Sequence, residues 1–457
     1  MERKQERLLF LFIISVLLIV IVNLYIGSSA NVKTESVNST ITDSAIIKEV
    51  ENLIEQNYYI DPPSKSEILE GAARGMVASL NDPFSNYATK KELSERQQML
   101  AHKYGGIGAY ISIENNMPVV IRLIPNSPAK KYGLLPGDII LEVNSETTKG
   151  LDLEQVTSRI KGDPGTIVNL TIQRQGVEKP FIIKITREII KLSMLKSTSI
   201  TKDIFYLKIE DFGENIANNV KNELINASKK YKGVVIDLRG NPGGYLSEVI
   251  QLLDYFFSNK LLVYTKGRNK NFEEKYVSSK QKLISDSLKI IVLVDGGTAS
   301  AAEIFTAVMK DYNRAIIIGE KTFGKGVVQQ VFELKDGSAL FLTISQYFSP
   351  KGYVIHKNGI EPDIKAEYYQ YSDNELATIS ILERKGILFQ YIQKFGTNNK
   401  DILYNEIKKL LKQEKLYLSD TSIKYLVSQL MQFYGEEKIF DLEFDYPLQK
   451  AIDQFNN

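Results

Sequence analysis

Hydrophobic and polar positions along this chain change rhythm several times. Residues 8–26 form an uncharged apolar run preceded by Arg3, Lys4 and Arg7. As a helix rising about 1.5 Å per residue the run is ~28 Å long, enough to cross a bilayer core. The basic flank predicts that the end before the run stays in the cytoplasm and that the rest lies outside. A cleavable signal peptide is the alternative, with Ser28 and Ala30 as small residues before a cut. The run is longer than the usual h-region of about 7–15 residues, so an uncleaved single-pass anchor is expected. Either reading exports the remaining domains.

Residues 31–43 are polar and rich in Ser and Thr, as a short linker is. Residues 45–103 then read as mainly helical. Ile46, Val50, Leu53 and Ile54 fall on one stripe, and Ile68, Ala72, Met76 and Leu80 on a second. Asn81-Asp82-Pro83 breaks this pattern, and residues 92–102 resume it. At Tyr104 the texture changes. Short runs rich in β-branched residues occupy 109–113, 119–123, 139–143, 167–174 and 181–186, with short helices near 127–132 and 153–160. This is the pattern of a compact β-rich module. From 189 to 366, strands at 233–238, 289–294, 315–318 and 339–344 alternate with apolar helix faces at Leu246, Val249, Ile250 and Leu253 and at Ile304, Phe305 and Val308. A layered sheet with helices on its faces is expected there. Beyond Pro362-Asp363-Ile364 the chain is helical and lysine-rich. It is expected to cap the core or to mediate self-association into a homo-oligomer.

The 457 residues suffice for about three domains. A net charge of +2 gives no bulk field for nucleic acid. Absence of cysteine excludes disulfides and thiolate metal sites. With only His102 and His356 the chain is also poor in the usual catalytic bases.

Candidate chemistry concentrates in Asp295-Gly296-Gly297-Thr298-Ala299-Ser300-Ala301-Ala302-Glu303 and Thr322-Phe323-Gly324-Lys325-Gly326-Val327-Val328-Gln329. Ser300 to Glu303 is a capping box, the ordinary signature of a helix start. A nucleophile fits the same spot, because the Ala301 N–H at a helix N-terminus is unsatisfied and the dipole there favours an oxyanion. Lys325 lies between two glycines on a predicted strand, beside Phe323 and Val327. Drawn into an apolar site, a lysine loses proton affinity and becomes able to take a serine proton near neutrality. Gln329, four residues on, falls on the same face of a strand and offers the lysine an amide oxygen. The segment from Gly319 to Lys325 also fits most of a phosphate loop. Gly326 stands where that loop needs Ser or Thr, and a β-branched run takes the place of the required helix. Asn241-Pro242-Gly243-Gly244, after a strand, can aim a second N–H into a cleft.

Residues 104–188 resemble a PDZ domain. Gly105-Gly106-Ile107-Gly108 stands at the carboxylate-binding loop, and Asn126-Ser127-Pro128-Ala129, Gly133-Leu134 and Pro136-Gly137-Asp138 match the middle signature. Such a glycine-rich nest holds a C-terminal carboxylate while an adjacent strand edge pairs with the peptide. With the Ser300 and Lys325 segments, Leu80-Asn81-Asp82-Pro83-Phe84-Ser85-Asn86-Tyr87 and Gly359-Ile360-Glu361-Pro362-Asp363, the chain from about Ile46 to Ile364 resembles the carboxyl-terminal processing peptidases, a Ser–Lys family. The resemblance implies an α+β multidomain protein: anchor at 1–30, linker and helices at 31–103, PDZ domain at 104–188, crotonase-like catalytic core at 189–366 and helical extension at 367–457. It implies that Ser300 is the nucleophile, Lys325 the base and Gln329 its orienting partner. Gly243 (or Gly244) and Ala301 would be the oxyanion donors. Gly105 to Gly108 would bind substrate, and Lys161 would take part in gating. The family pattern often has serine at the positions of Thr298 and Ala302. The expectation is a membrane-held, extracytoplasmic endopeptidase acting on accessible protein C-termini without metal or nucleotide. A catalytically silent PDZ scaffold or chaperone, or an acyl-CoA enzyme on a related core, are the alternatives.

Overall fold

The computed structural model describes residues 43–100, 103–279, 281–435 and 439–456. The apolar run at 8–26, its basic flank and His102 lie outside them. Among the described residues no helix is long and apolar enough to cross a membrane. The chain divides into two compact units, residues 1–76 and 77–457.

In the first unit, α1 (Asp43–Asn57) and the start of α2 (Lys65–Ala78) are separated by Asp61-Pro62-Pro63, which ends one helix before the next. The stripe of Ile46, Val50 and Leu53 is exposed instead of buried.

In the second unit, the region read as mainly helical contains a strand after the predicted break. After Asn81-Asp82-Pro83, β1 (Asn86–Ala88) forms because the long strand at Ala339–Phe348 captures it; helix α3 (Lys90–Leu100) comes next. The β-rich module then matches its pattern closely. Its strands are β2 (Lys103–Gly106), β3 (Ala109–Glu114), β4 (Met117–Leu123), β5 (Ile139–Val143), β6 (Glu146–Thr147), β7 (Ile167–Gln173), β8 (Phe181–Thr186) and β9 (Glu188–Lys191), with α4 (Pro128–Lys131) and α5 (Leu153–Ile160) between them. The main sheet runs β3-β4-β5-β7-β8, so β3 is an edge strand. Alternating inward residues such as Val168, Leu170 and Ile172 build its core with Val156 and Ile160 of α5.

The α/β region holds β10 (Leu195–Ser199), β11 (Ile204–Ile209), α6 (Ile216–Ser228), β12 (Gly233–Asp237), α7 (Leu246–Asp254), β13 (Leu261–Lys266), β14 (Lys275–Val277), β15 (Lys289–Val294), α8 (Ala301–Asp311), β16 (Ile316–Gly319), β17 (Val327–Glu333), β18 (Ala339–Phe348) and β19 (Ile364–Lys365). One sheet runs β10-β11-β12-β15-β16-β19 and is parallel from β11 onward. A second joins β17, β18, β13 and β14, and β18 also pairs with β1. Helices α6, α7 and α8 cover one face of the parallel sheet through Val220, Leu252, Phe305 and their neighbours.

The C-terminal region forms α9 (Asp373–Arg384), α10 (Ile387–Phe395), α11 (Lys400–Gln413), α12 (Asp420–Tyr434) and α13 (Tyr446–Asn456). Its first four helices share a core around Leu382, Leu403, Ile407 and Leu426. Two contacts make it more than a cap. Phe389 packs on Val119 and Ile121 of β4, and Tyr434 donates to Glu114 at 3.0 Å, so the bundle braces the β-rich module. Leu448 and Ala451 of α13 pack on Tyr206, Val235, Ile291 and Leu293, covering the other face of the parallel sheet. Gly233 has no room for a side chain there, since a Cβ would lie 2.0 Å from the Phe455 ring.

Leu448 is fully buried in this contact. Leu448→Ala is expected to lower the stability of the second unit by about 2–5 kcal/mol in urea unfolding. A loss below about 1 kcal/mol would mean that α13 does not cover the sheet.

Candidate active site

Strands β12 and β15 are parallel neighbours with Asp237 opposite Leu293, so they end at the same edge. Ligands of open parallel sheets bind at that carboxyl edge. Two turns meet there. The turn after β12 runs from Leu238 to Gly244, and the turn after β15 from Asp295 to Ala299. Thr298 Oγ1 donates to the Leu238 carbonyl at 2.8 Å, and the Ala299 N–H to the Asn241 carbonyl at 2.9 Å. Asp295 Oδ1 accepts from the N–H groups of Gly240 (2.9 Å), Gly297 (2.9 Å) and Thr298 (3.1 Å).

Ser300 joins this turn to α8 with φ 54° and ψ −117°. A non-glycine residue held at such a φ is strained by roughly 1–3 kcal/mol, and strain of this kind collects at functional sites. A serine on a strained strand-to-helix turn is how the nucleophile elbow exposes its hydroxyl. Gly243 (φ 106°) faces it closely: a Cβ there would lie 2.7 Å from Ser300 Cβ and 2.9 Å from the Ala301 nitrogen. Gly243 is therefore beside Ser300. Its N–H, however, donates to Asn241 Oδ1 at 2.9 Å and is not free for a ligand in this structure. The Asn241 amide in turn donates to the Ile209 carbonyl at 2.9 Å.

Glu303, which reads in the sequence as half of a helix cap, organises the whole site. Its carboxylate is fully buried and accepts four hydrogen bonds. Oε2 takes the backbone N–H of Ser300 (3.0 Å) and of Lys325 (2.8 Å). Oε1 takes the Thr322 hydroxyl (2.5 Å) and the Gly324 N–H (2.7 Å). Burial pushes its pKa above the usual carboxylate value, against the downward pull of these four donors. One side chain thus ties the main chain of Ser300 to that of Lys325. No hydrogen bond joins Ser300 Oγ to Lys325 Nζ directly.

Lys325 precedes β17 instead of lying on it. It is half-buried, and burial lowers its pKa below the ordinary lysine value; Arg96 adds to the fall and Asp82 opposes it. Its apolar cover is not Phe323, which is exposed, but Phe84, whose ring centroid lies 5.2 Å from Nζ. The expected Gln329 contact differs too. A bulge falls between Val328 and Gln329, which breaks the simple alternation of faces along the strand. Gln329 Nε2 donates to the Phe84 carbonyl at 2.6 Å, so the glutamine holds the cover over the lysine. Ser85 Oγ accepts from the Thr343 N–H at 3.0 Å and donates to Asp82, fixing the same turn to β18. Phe84 belongs to the motif from Leu80 to Tyr87, but nothing local signals that it meets Lys325.

In the β-rich module, Gly105 and Gly106 are not in a free loop. They belong to β2, paired with Ile189 and Glu188 of β9, and only Ile107 and Gly108 form the turn into β3. Edge strand β3 comes directly after, with α5 packed alongside. Lys161 is exposed at the end of α5, with Nζ 5.4 Å from the Tyr104 ring centroid.

Residues 203–366 match the pattern "Peptidase family S41", residues 119–174 "PDZ domain" and residues 25–92 "Activating protease CtpB N-terminal domain". A carboxy-terminal-processing protease of Bartonella bacilliformis is 37% identical over 68% of this chain and 72% of its own. A "Probable CtpA-like serine protease" of Staphylococcus saprophyticus is 30% identical over 92% of this chain and 88% of its own. Among solved structures, the photosystem II D1 C-terminal processing protease is 26% identical over 70% of this chain and 86% of that one, with a TM-score of 0.44. With a PDZ domain joined to a peptidase core and relatives matched over most of their length, this chain belongs to peptidase family S41, the carboxy-terminal-processing serine proteases.

Proposed function

We propose that this S41 peptidase is a single-pass membrane protein with its catalytic part outside the cytoplasm. In this reading it takes accessible protein C-termini through the PDZ domain and cleaves peptide bonds with Ser300 and Lys325 on a crotonase-like core. The observation that carries the reading is the strained Ser300 backbone, tied through Glu303 to the main chain of Lys325. The apolar run at 8–26 supports the anchor. The unpaired edge of β3 supports capture of a peptide by strand addition, with the Gly105-to-Gly108 segment at its carboxylate end and Lys161 at the rim.

In the reaction, Ser300 Oγ attacks the scissile carbonyl carbon while neutral Lys325 Nζ takes the hydroxyl proton. The Ala301 N–H stabilises the oxyanion from one side. The facing turn gives the second donor: Gly243 once the Asn241 amide turns aside, or Gly244 in its place. Collapse breaks the C–N bond, and Lys325 returns its proton to the leaving amine. Water then attacks the serine ester, losing a proton to Lys325; collapse breaks the bond from the carbonyl carbon to Ser300 Oγ, Lys325 returns that proton to the serine oxygen, and the acid product leaves. Gln329 acts through Phe84, keeping the lysine covered and its proton affinity low.

The Asn31–Asn457 form is expected to cleave a disordered protein in the presence of EDTA and without ATP. Ser300→Ala and Lys325→Ala are each expected to lower turnover by at least about 10³-fold. A mutant that cleaves as fast as the parent removes that residue from the mechanism, and a parent that never cleaves favours the silent scaffold.

The pH dependence is set by the base. Only neutral lysine accepts a proton, so the rate should climb with pH through the lowered pKa of Lys325 and level off above it. Arg96 disfavours the ammonium form, so Arg96→Gln is expected to raise that pKa and move the climbing limb to higher pH. An unshifted limb in the kcat–pH profile would show that another group titrates.

A further inference from the structure

The turn that faces the nucleophile begins at Arg239, and Arg239 is held from both sides. Its Nε donates to Asp237 Oδ1 at 2.9 Å and Nη2 to Asp237 Oδ2 at 2.5 Å. On its other edge, Nη1 donates to Asp445 Oδ1 at 2.6 Å and Nη2 to Asp445 Oδ2 at 2.7 Å. All three side chains are buried or nearly so, at 8%, 1% and 8% exposure for Arg239, Asp237 and Asp445. Tyr206 donates to Asp237 at 2.5 Å, and the Tyr368 ring lies 5.3 Å from the guanidinium carbon. Asp445 caps α13, accepting the Leu448 N–H at 3.0 Å, so its negative charge also sits at a favourable helix end. The two-pronged geometry is the strong form of an arginine–carboxylate contact.

We propose that Asp445, carried by the C-terminal region, is a positioning residue of the peptidase site: by gripping Arg239 it fixes the turn that faces Ser300. This role presupposes the proposed Ser300–Lys325 chemistry. The path is short. Arg239 adjoins Gly240, whose N–H is bound by Asp295, and Asn241 binds the Ala299 N–H next to the nucleophile. A cavity of about 330 Å³ also lies between the turn and the C-terminal region, lined by Arg239, Gly240 and Asp295 on one side and by Tyr425, Phe440 and Phe444 on the other. Beside this cavity the turn is held by its bonds to the Asp295–Ala299 turn and, toward the C-terminal region, by the Arg239–Asp445 bridge. Without the bridge, the guanidinium keeps Asp237 and the Tyr368 ring but loses its fixed partner in the C-terminal region.

Asp445→Asn in the full chain keeps the shape but leaves one acceptor and turns an NH2 group toward the guanidinium. Turnover of a disordered protein is measured per folded molecule, with the folded fraction taken from near-ultraviolet circular dichroism. We expect kcat to fall by about 10–10²-fold with KM within about twofold, since a small displacement of a reacting group has effects of this size. Leu448→Ala loosens the same helix without touching Arg239 and serves as the comparison. It is expected to leave kcat per folded molecule near the parent value. Parent-like kcat in Asp445→Asn, or an equal fall in Leu448→Ala, overturns the positioning role and leaves only a contribution to stability. A parent protein that fails to cleave sinks the underlying Ser300–Lys325 chemistry instead, and is seen before either variant is compared.

Discussion

A carboxylate withdrawn from water must find donors inside the protein or lose its charge, and Glu303 finds four. Two are backbone groups of Ser300 and Lys325, the proposed nucleophile and base; the others, from Thr322 and Gly324, fix the loop between β16 and β17. Each donor alone contributes about 1.5–3 kcal/mol as a bond to a charged group, but their geometric effect is larger than their sum suggests. The start of α8 and the approach to β17 become one object, although about twenty residues separate them. The strained Ser300 backbone persists because its surroundings over-determine it: Glu303 below, Gly243 pressed against its Cβ, and the Asp295 carboxylate locking the preceding turn.

The second constraint is topological. Neighbouring parallel strands bring their carboxyl ends together, and this carries the Leu238–Gly244 turn to the Asp295–Ser300 turn from some sixty residues upstream. The lysine arrives differently, on the hairpin of β17 and β18, to which the Asp82–Ser85 turn is fastened by Ser85 and Gln329. Ser300 thus follows a strand of one sheet and Lys325 precedes a strand of the other, and the buried glutamate is the joint between them.

Much of this was legible in the sequence where the information is local. Ile139–Val143 and Phe181–Thr186 appear as strands with the boundaries their alternation predicts, and α5 starts and stops where its pattern does. Ser300 and Lys325 stood out through their glycine-rich settings. The hidden features were long-range or geometric. β1 is three residues long and exists because β18 offers it a partner. A single bulge after Val328 turned Gln329 toward Phe84, and period-two reasoning cannot see a bulge. Glu303 was visible only as a helix cap, since the partners of its second oxygen lie 19 and 21 residues away. Asp445 carries no local mark at all; its meaning comes from an arginine 206 positions earlier.

The covering of the parallel sheet by Leu448 and Ala451 has a consequence in time. A chain emerging from the ribosome presents β11, β12, β15 and β16 long before residue 448 exists, so one apolar face of the sheet waits uncovered while the rest is made. Domains generally fold as units, so this one cannot be complete before its last contributing segment is made. For this chain that segment arrives some 120 residues after Lys325. Ser300 and Lys325 are thus both synthesised before the layer that completes the sheet behind them exists.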